Sequence, residues 1–250
     1  MAESNAGGVG IDPMHQFEIL RYVELDFLGV DVSFTNSSLW MVIAVALITA
    51  FTTLSMSGRA LVPGRWQSAA EMTYEFVASM VRDNVGTDGM RYFPFIFTTF
   101  MFVLFCNMLG MIPYSFTVTS HIIVTFAMAV LIFLGVTIIG FITHGLGFFK
   151  FFVPPGIPAV LLPLLVVIEI ISYLTRPISL SVRLFANMLA GHTMLKVFAG
   201  FVVLMGIWGV LPLVFMVALT GLEILIAFLQ AYVFAILTCI YLNDALHMHH

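Results

Sequence analysis

The chain has 250 residues, 61% hydrophobic and 9% charged, with 9 Lys+Arg against 13 Asp+Glu, where a soluble domain carries roughly 45–50% apolar and 25% charged residues. These values exclude a soluble enzyme, a disordered chain and a disulfide-stapled secreted domain, and the acidic balance leaves no basic patch for nucleic acid. What remains is an all-α polytopic membrane protein, because the apolar runs are long and unbroken instead of alternating as in an outer-membrane barrel.

Residues 1–35 carry six acidic side chains (Glu3, Asp12, Glu18, Glu24, Asp26, Asp31) and a single basic one, Arg21. They lack the basic start and apolar core of a cleavable signal and are expected to stay outside the membrane. Residues 38–57 form a first apolar run of about the 20 residues a span needs, with Ser37 or Ser38 as cap and Gly58 as terminator. Residues 66–82 differ. Ala69, Met72, Phe76 and Met80 share one helical face, and Gln67, Glu71, Glu75 and Arg82 another, which predicts an amphipathic helix on the membrane surface or on a partner.

Pro94 opens a second span over 94–112, closed by Gly110 and Pro113, and a third follows over 119–144, forming a transmembrane hairpin. No Asp, Glu, Lys or Arg occurs from Tyr92 to Phe149. Asn107, His121 and His144 are the main polar groups of the hairpin; an interhelical hydrogen bond is the expectation for His144, and an aqueous opening is one setting for His121. Cys106 and Cys239 sit within apolar runs and read as buried free thiols. A Gly- and Pro-rich loop with Lys150 spans 145–158.

Two oversize helices are expected next, 159–190 and 197–243, the second interrupted by Pro212. Thirty-two helical residues reach about 48 Å, beyond the hydrocarbon core of about 30 Å, so such a helix tilts steeply or kinks at Pro163 or Pro177. Arg59, Arg65, Arg82, Arg91 and Lys150 place loops 58–91 and 145–158 in the cytoplasm and the N-terminus outside; Lys196 is the exception.

The last hundred residues hold six charges: Glu169, Arg176, Arg183, Lys196, Glu223 and Asp244. A charge at bilayer depth costs roughly 2.5–3.5 kcal/mol, so these residues are functional candidates. Ser172, Arg176, Ser179, Arg183, Ala186 and Ala190 recur at helical spacing as one stripe, small but for the arginines, which lets another helix approach closely. Arg183 has no local acid, so its counter-charge is expected from another subunit. Thr220, Glu223, Ala227, Gln230 and Phe234 form a comparable stripe. A carboxyl at this depth and His192 can both exchange protons near neutral pH. His192 falls about 180° from Arg183 on a regular helix, and Gly191 is a candidate helix end that would free that geometry. Together these residues point to movement of a small ion, a proton by preference.

The run Pro177-Ile178-Ser179-Leu180-Ser181-Val182-Arg183-Leu184-Phe185-Ala186-Asn187-Met188-Leu189-Ala190-Gly191-His192 resembles the signature of subunit a of F-type ATP synthases. The run Glu223 to Tyr241, with Leu229-Gln230-Ala231-Tyr232-Val233-Phe234, does so too. The pairing of His192 with Glu223 is similar to the alphaproteobacterial and mitochondrial branch. The resemblance implies a stator beside a rotating ring of c subunits, with b-type peripheral stalk subunits and, indirectly, the catalytic F1 sector as partners, in a bacterial inner membrane. It implies that Arg183 separates two aqueous half-channels and blocks a leak between them. Asn187, His192, Glu223 and Gln230 would line the periplasmic one, and Glu169 the cytoplasmic one, with Arg176 near it. Asp244 is considered for the periplasmic group, although its place at a helix end argues against it. The resemblance implies no catalysis by the chain alone and no cofactor or metal; the His247, His249 and His250 cluster is assigned no function. Residues 1–250 are read as a single membrane domain, with the C-terminus cytoplasmic. A self-contained secondary transporter would predict internal repeats, and none is convincing. A non-conducting scaffold leaves the intramembrane charges unexplained.

Overall fold

The computed structural model describes residues 17–24, 26–27, 30–31, 33–57, 63–112, 115–145, 147–148, 153 and 161–247. Gly58, Arg59, Pro113, Lys150, most of the 145–158 loop, His249, His250, Glu3 and Asp12 lie outside them.

A small antiparallel element precedes the helices, with β1 (Arg21–Val23) against β4 (Phe34–Thr35) and β2 (Asp26–Phe27) against β3 (Val30–Asp31). Asn36 ties this element to the membrane part. Its side chain donates to Glu18 O at 2.9 Å and accepts from the backbone N–H of Leu20 and Ser37.

Helix α1 runs Asn36–Met56, and its cap is Thr35, whose side chain accepts from Ser38 N. Ser37 is buried, and the cap lies two residues before it. Helix α2 runs Arg65–Val85 and ends on Gly86 at φ 85°, in the left-handed region that favours glycine. Its buried face is Val77, Ala78, Met80, Val81 and Val85, whereas Met72 is 66% exposed. Of the expected apolar face, Met80 is buried and Phe76 packs against Phe100, Phe228 and Tyr232, while Met72 points outward.

A 3-10 turn, Thr87–Tyr92, leads into α3 (Phe93–Gly110), with Pro94 in the first turn, where its missing N–H costs nothing. A second 3-10 turn, Val118–Ser120, precedes α4 (Ile122–His144). The hairpin therefore forms as its apolar runs dictate. The outer face of α4 presents Ile123, Leu131, Ile138 and Ile142 uncovered, as a lipid-facing span does.

Helix α5 runs Leu162–Leu204 and α6 Val210–Leu246, joined by a turn with Gly206 at φ 54°. Both boundaries differ from the expected 159–190 and 197–243. Gly191 does not end α5: a Cβ there would lie 2.8 Å from Glu223 Oε1, so the glycine makes room for a neighbour inside a continuous helix. Pro212 falls in the first turn of α6 and interrupts nothing, and Pro163 opens α5; Pro177 alone stands inside, where it removes one backbone donor. At 43 residues, α5 is about 65 Å long, twice the hydrocarbon thickness, which requires a steep tilt.

Among the described residues, five helical segments are long and apolar enough to cross a membrane; α2 is not one of them. The chain is an all-α, multi-pass membrane protein. Its core lies around the second half of α6, where Ala227, Ala231, Ala235 and Cys239 are fully buried. These small residues let α6 approach its neighbours closely, the packing that replaces hydrophobic association within lipid. Cys106 and Cys239 are buried free thiols, as expected.

Candidate functional site

The two long helices present their polar residues to each other in antiparallel order, so the late residues of α5 meet the early residues of α6. His192 is 8% exposed and Glu223 4%, with Nδ1 2.5 Å from Oε1. The two ring nitrogens also face carbonyl oxygens, Nδ1 at 3.0 Å from Met188 O and Nε2 at 2.9 Å from Gly110 O on α3. A neutral imidazole carries one N–H and serves one of them; the imidazolium serves both. Nδ1 therefore faces two acceptors at once, the Met188 carbonyl and the Glu223 carboxylate, and Glu223 Oε2 has no hydrogen-bond partner among the described residues.

Two turns along α6, Gln230 Oε1 accepts from Asn187 Nδ2 at 3.1 Å. Between these pairs stands Asn107 of α3, fully buried, donating to Ala227 O at 3.3 Å. Its Oδ1 and Gln230 Nε2 have no partner among the described residues. The sequence singles out Asn107 only as one of the main polar groups of the hairpin. Its bond to α6 and its second, unpartnered atom add it to the polar group. The signal was an amide in the middle of an otherwise apolar span. His144 likewise bonds between helices, Nε2 lying 3.2 Å from Leu246 O. His121 stacks on Phe116 with ring centroids 4.9 Å apart, half-buried at the start of α4.

At the opposite end, Arg176 Nη1 donates to Asp244 Oδ2 at 3.0 Å, and both side chains are partly exposed. The guanidinium lies 5.4 Å from the Tyr173 ring centroid and 4.8 Å from that of Tyr241, within cation–π range. Tyr173 shares a 2.7 Å hydrogen bond with Thr137 of α4. Asp244 thus stands with Arg176 and apart from Glu223, about 31 Å away along the continuous α6. Glu169 is half-buried two turns before Arg176 and forms no ion pair among the described residues, because Asp244 supplies that carboxylate.

Arg183 stands between the two groups. Ser172, Ser179, Arg183, Ala186 and Ala190 are exposed along one face of α5, and Arg183 has no hydrogen bond or ion pair among the described residues. His192, on a helix that stays regular, faces away from this stripe and into the chain, as its spacing requires. The α6 stripe is not comparable after all, for Glu223, Ala227, Gln230 and Phe234 are buried. No cluster of three or more His, Cys, Asp or Glu able to hold a metal occurs among the described residues.

The sequence family described as ATP synthase A chain matches residues 38–243. The chain belongs to the ATP synthase A chain family. It is similar to ATP synthase subunit a of Parvibaculum lavamentivorans, at 61% identity covering 100% of this chain and 98% of that protein. It is also similar to ATP synthase subunit a of Chelativorans sp., at 63% identity over 96% and 99% of the two chains, and to that of Pelagibacter ubique, at 64% over 96% and 99%. Family membership brings the chain into the ATP synthase complex and ties its membrane helices to proton transport in ATP synthesis.

Proposed function

We propose that this chain is the stator of a rotary F-type ATP synthase and carries protons to and from the carboxylates of a c-subunit ring through two offset half-channels. The observation that carries the reading is the exposed Arg183, without a hydrogen bond or ion pair among the described residues, between two polar groups built from α5 and α6. A guanidinium stays ionised at any physiological pH. At bilayer depth it is costly unless an anion meets it, and a ring carboxylate passing along the small-residue stripe is such an anion. The arginine holds that carboxylate ionised while it passes and denies protons a direct way across.

His192, Glu223, Asn187 and Gln230, with Asn107, form the periplasmic half-channel in this reading. Glu223 and Gln230 are about 10 Å apart along α6, too far for one transfer, so Asn107 and water complete the relay. Glu169 and the Arg176–Asp244 pair mark the cytoplasmic half-channel. The chain is one membrane domain of a bacterial inner membrane, its N-terminus periplasmic and its C-terminus cytoplasmic. It is held by b-type stalk subunits, linked through them to F1, and does not catalyse alone. Each proton crossing 100 mV supplies about 2.3 kcal/mol, so a leak past Arg183 dissipates the coupling.

The test is ATP-driven proton pumping in inverted membrane vesicles holding the whole complex, wild type against Arg183→Ala, with subunit content and ATP hydrolysis followed in parallel. Loss of pumping in an assembled complex is the expected result. Undiminished pumping overturns the mechanism.

A further inference from the structure

Helix α2 crosses the ends of two spans, α1 and α3, and leaves a cleft of about 560 Å³ between the three helices. Phe51 of α1, Tyr74 of α2 and Phe97 of α3 form its apolar wall, while Glu71, Glu75 and Arg82 of α2 form its polar rim. The rim residues recur every one or two turns and share one helix face. All three are exposed. Glu71 accepts from Gln67 Nε2 at 2.8 Å; Glu75 and Arg82 make no hydrogen bond or ion pair among the described residues. A helix lying in the interface sets its charged side at headgroup level and its apolar side at the acyl boundary, so this cleft has the polarity profile of a single phospholipid.

We propose that the cleft is a binding site for a phospholipid with a primary-ammonium headgroup, of the phosphatidylethanolamine class. The ammonium sits between Glu71 and Glu75, the phosphate meets Arg82, and the acyl chains run down past Phe51 and Phe97. Two carboxylates against one guanidinium leave the rim with a net negative charge, which disfavours an anionic lipid. An ammonium offers three N–H donors to the carboxylates, and a quaternary choline offers none.

The experiment uses the assembled complex in nanodiscs containing photoactivatable analogues of phosphatidylethanolamine, phosphatidylcholine or phosphatidylglycerol, with crosslinked peptides mapped along the chain. The ethanolamine probe is expected to label residues 51–56 and 67–82 at least about threefold above the lipid-facing α4 surface around Ile138 and Ile142, a ratio within reach of a few exposed charge contacts. The choline and glycerol probes label both regions alike. The Glu71→Gln/Glu75→Gln variant lowers ethanolamine labelling to the α4 level with proton pumping intact, and Ala70→Phe, which fills the cleft, lowers it at least as far. Labelling that ignores the headgroup, labelling no stronger than on α4, or a crosslink to a helix of another subunit in place of lipid overturns the proposal.

Discussion

The stripes of α5 and α6 have the same spacing, yet opposite surroundings. Glu223, Ala227, Gln230 and Phe234 of α6 are 0–4% exposed, because α3 and α5 close over them. Ser172, Ser179, Arg183, Ala186 and Ala190 of α5 are open. Small residues serve both stripes, but on α6 they bring this chain's own helices together, and on α5 they leave a smooth track for something outside it. Within lipid there is no hydrophobic force to bury a stripe; a polar contact decides. Asn107 and Asn187 reach α6 with such contacts, and no residue of the chain forms a hydrogen bond or ion pair with Arg183 among the described residues.

The sharpest way to break this contrast is a bulky residue on each stripe. Ala227→Phe forces a ring into a site that is 0% exposed. Overpacking of this kind costs about 1–3 kcal/mol or more, so folded subunit in the membrane, read by immunoblot, is expected to fall steeply. Ala190→Phe is expected to keep the wild-type subunit level and lower pumping instead. Equal loss of subunit from both variants would dissolve the distinction. A smaller effect is expected from Gly191→Ala, whose added Cβ meets Glu223 Oε1 at 2.8 Å and Cδ at 3.1 Å. The carboxylate must shift, and passive proton flow through the F1-stripped complex should fall about fivefold, equivalent to about 1 kcal/mol, with subunit content unchanged. Gly191→Val should do worse, and an unaltered flow would mean that Glu223 tolerates the shift.

The smallest effect concerns His121, outside the spans. Burial holds its pKa below the ordinary 6.5. The unfolded chain then binds the proton more readily, so the contribution of neutral His121 to stability is full above about 6.5 and declines as the pH falls below it. Thermal melts of the purified complex between pH 7.5 and 5 (roughly the range in which histidine titrates) should lose part of their acid sensitivity in His121→Gln. Identical melting curves would remove His121 from the acid response.

The spans were legible because apolar length is a direct requirement of the bilayer, and the surface helix because its composition cannot span. The end of α5 was not. A glycine near the expected helix end reads as a stop, and only the position of Glu223, 32 residues later in sequence, explains why the helix passes through it. The Arg176–Asp244 pair was missed for the same reason: the partners are 68 residues apart, and no local pattern links them. His192 and Glu223 were legible as titratable residues in an apolar setting. Their mutual contact depended on the antiparallel return of α6, a property of the folded pair. Which stripe stays open could not be read from spacing, since both obey the same rule.

The unbroken course of α5 also fixes a distance. Glu169 and His192 lie on one continuous helix, about 35 Å apart along its axis, more than the depth of the hydrocarbon core. With no break between them other than Pro177, the two residues are held at a fixed separation on one helix. In the proposed reading, a proton that enters beside one of them and leaves beside the other must cover that separation on another carrier, and the length of a single helix sets how far.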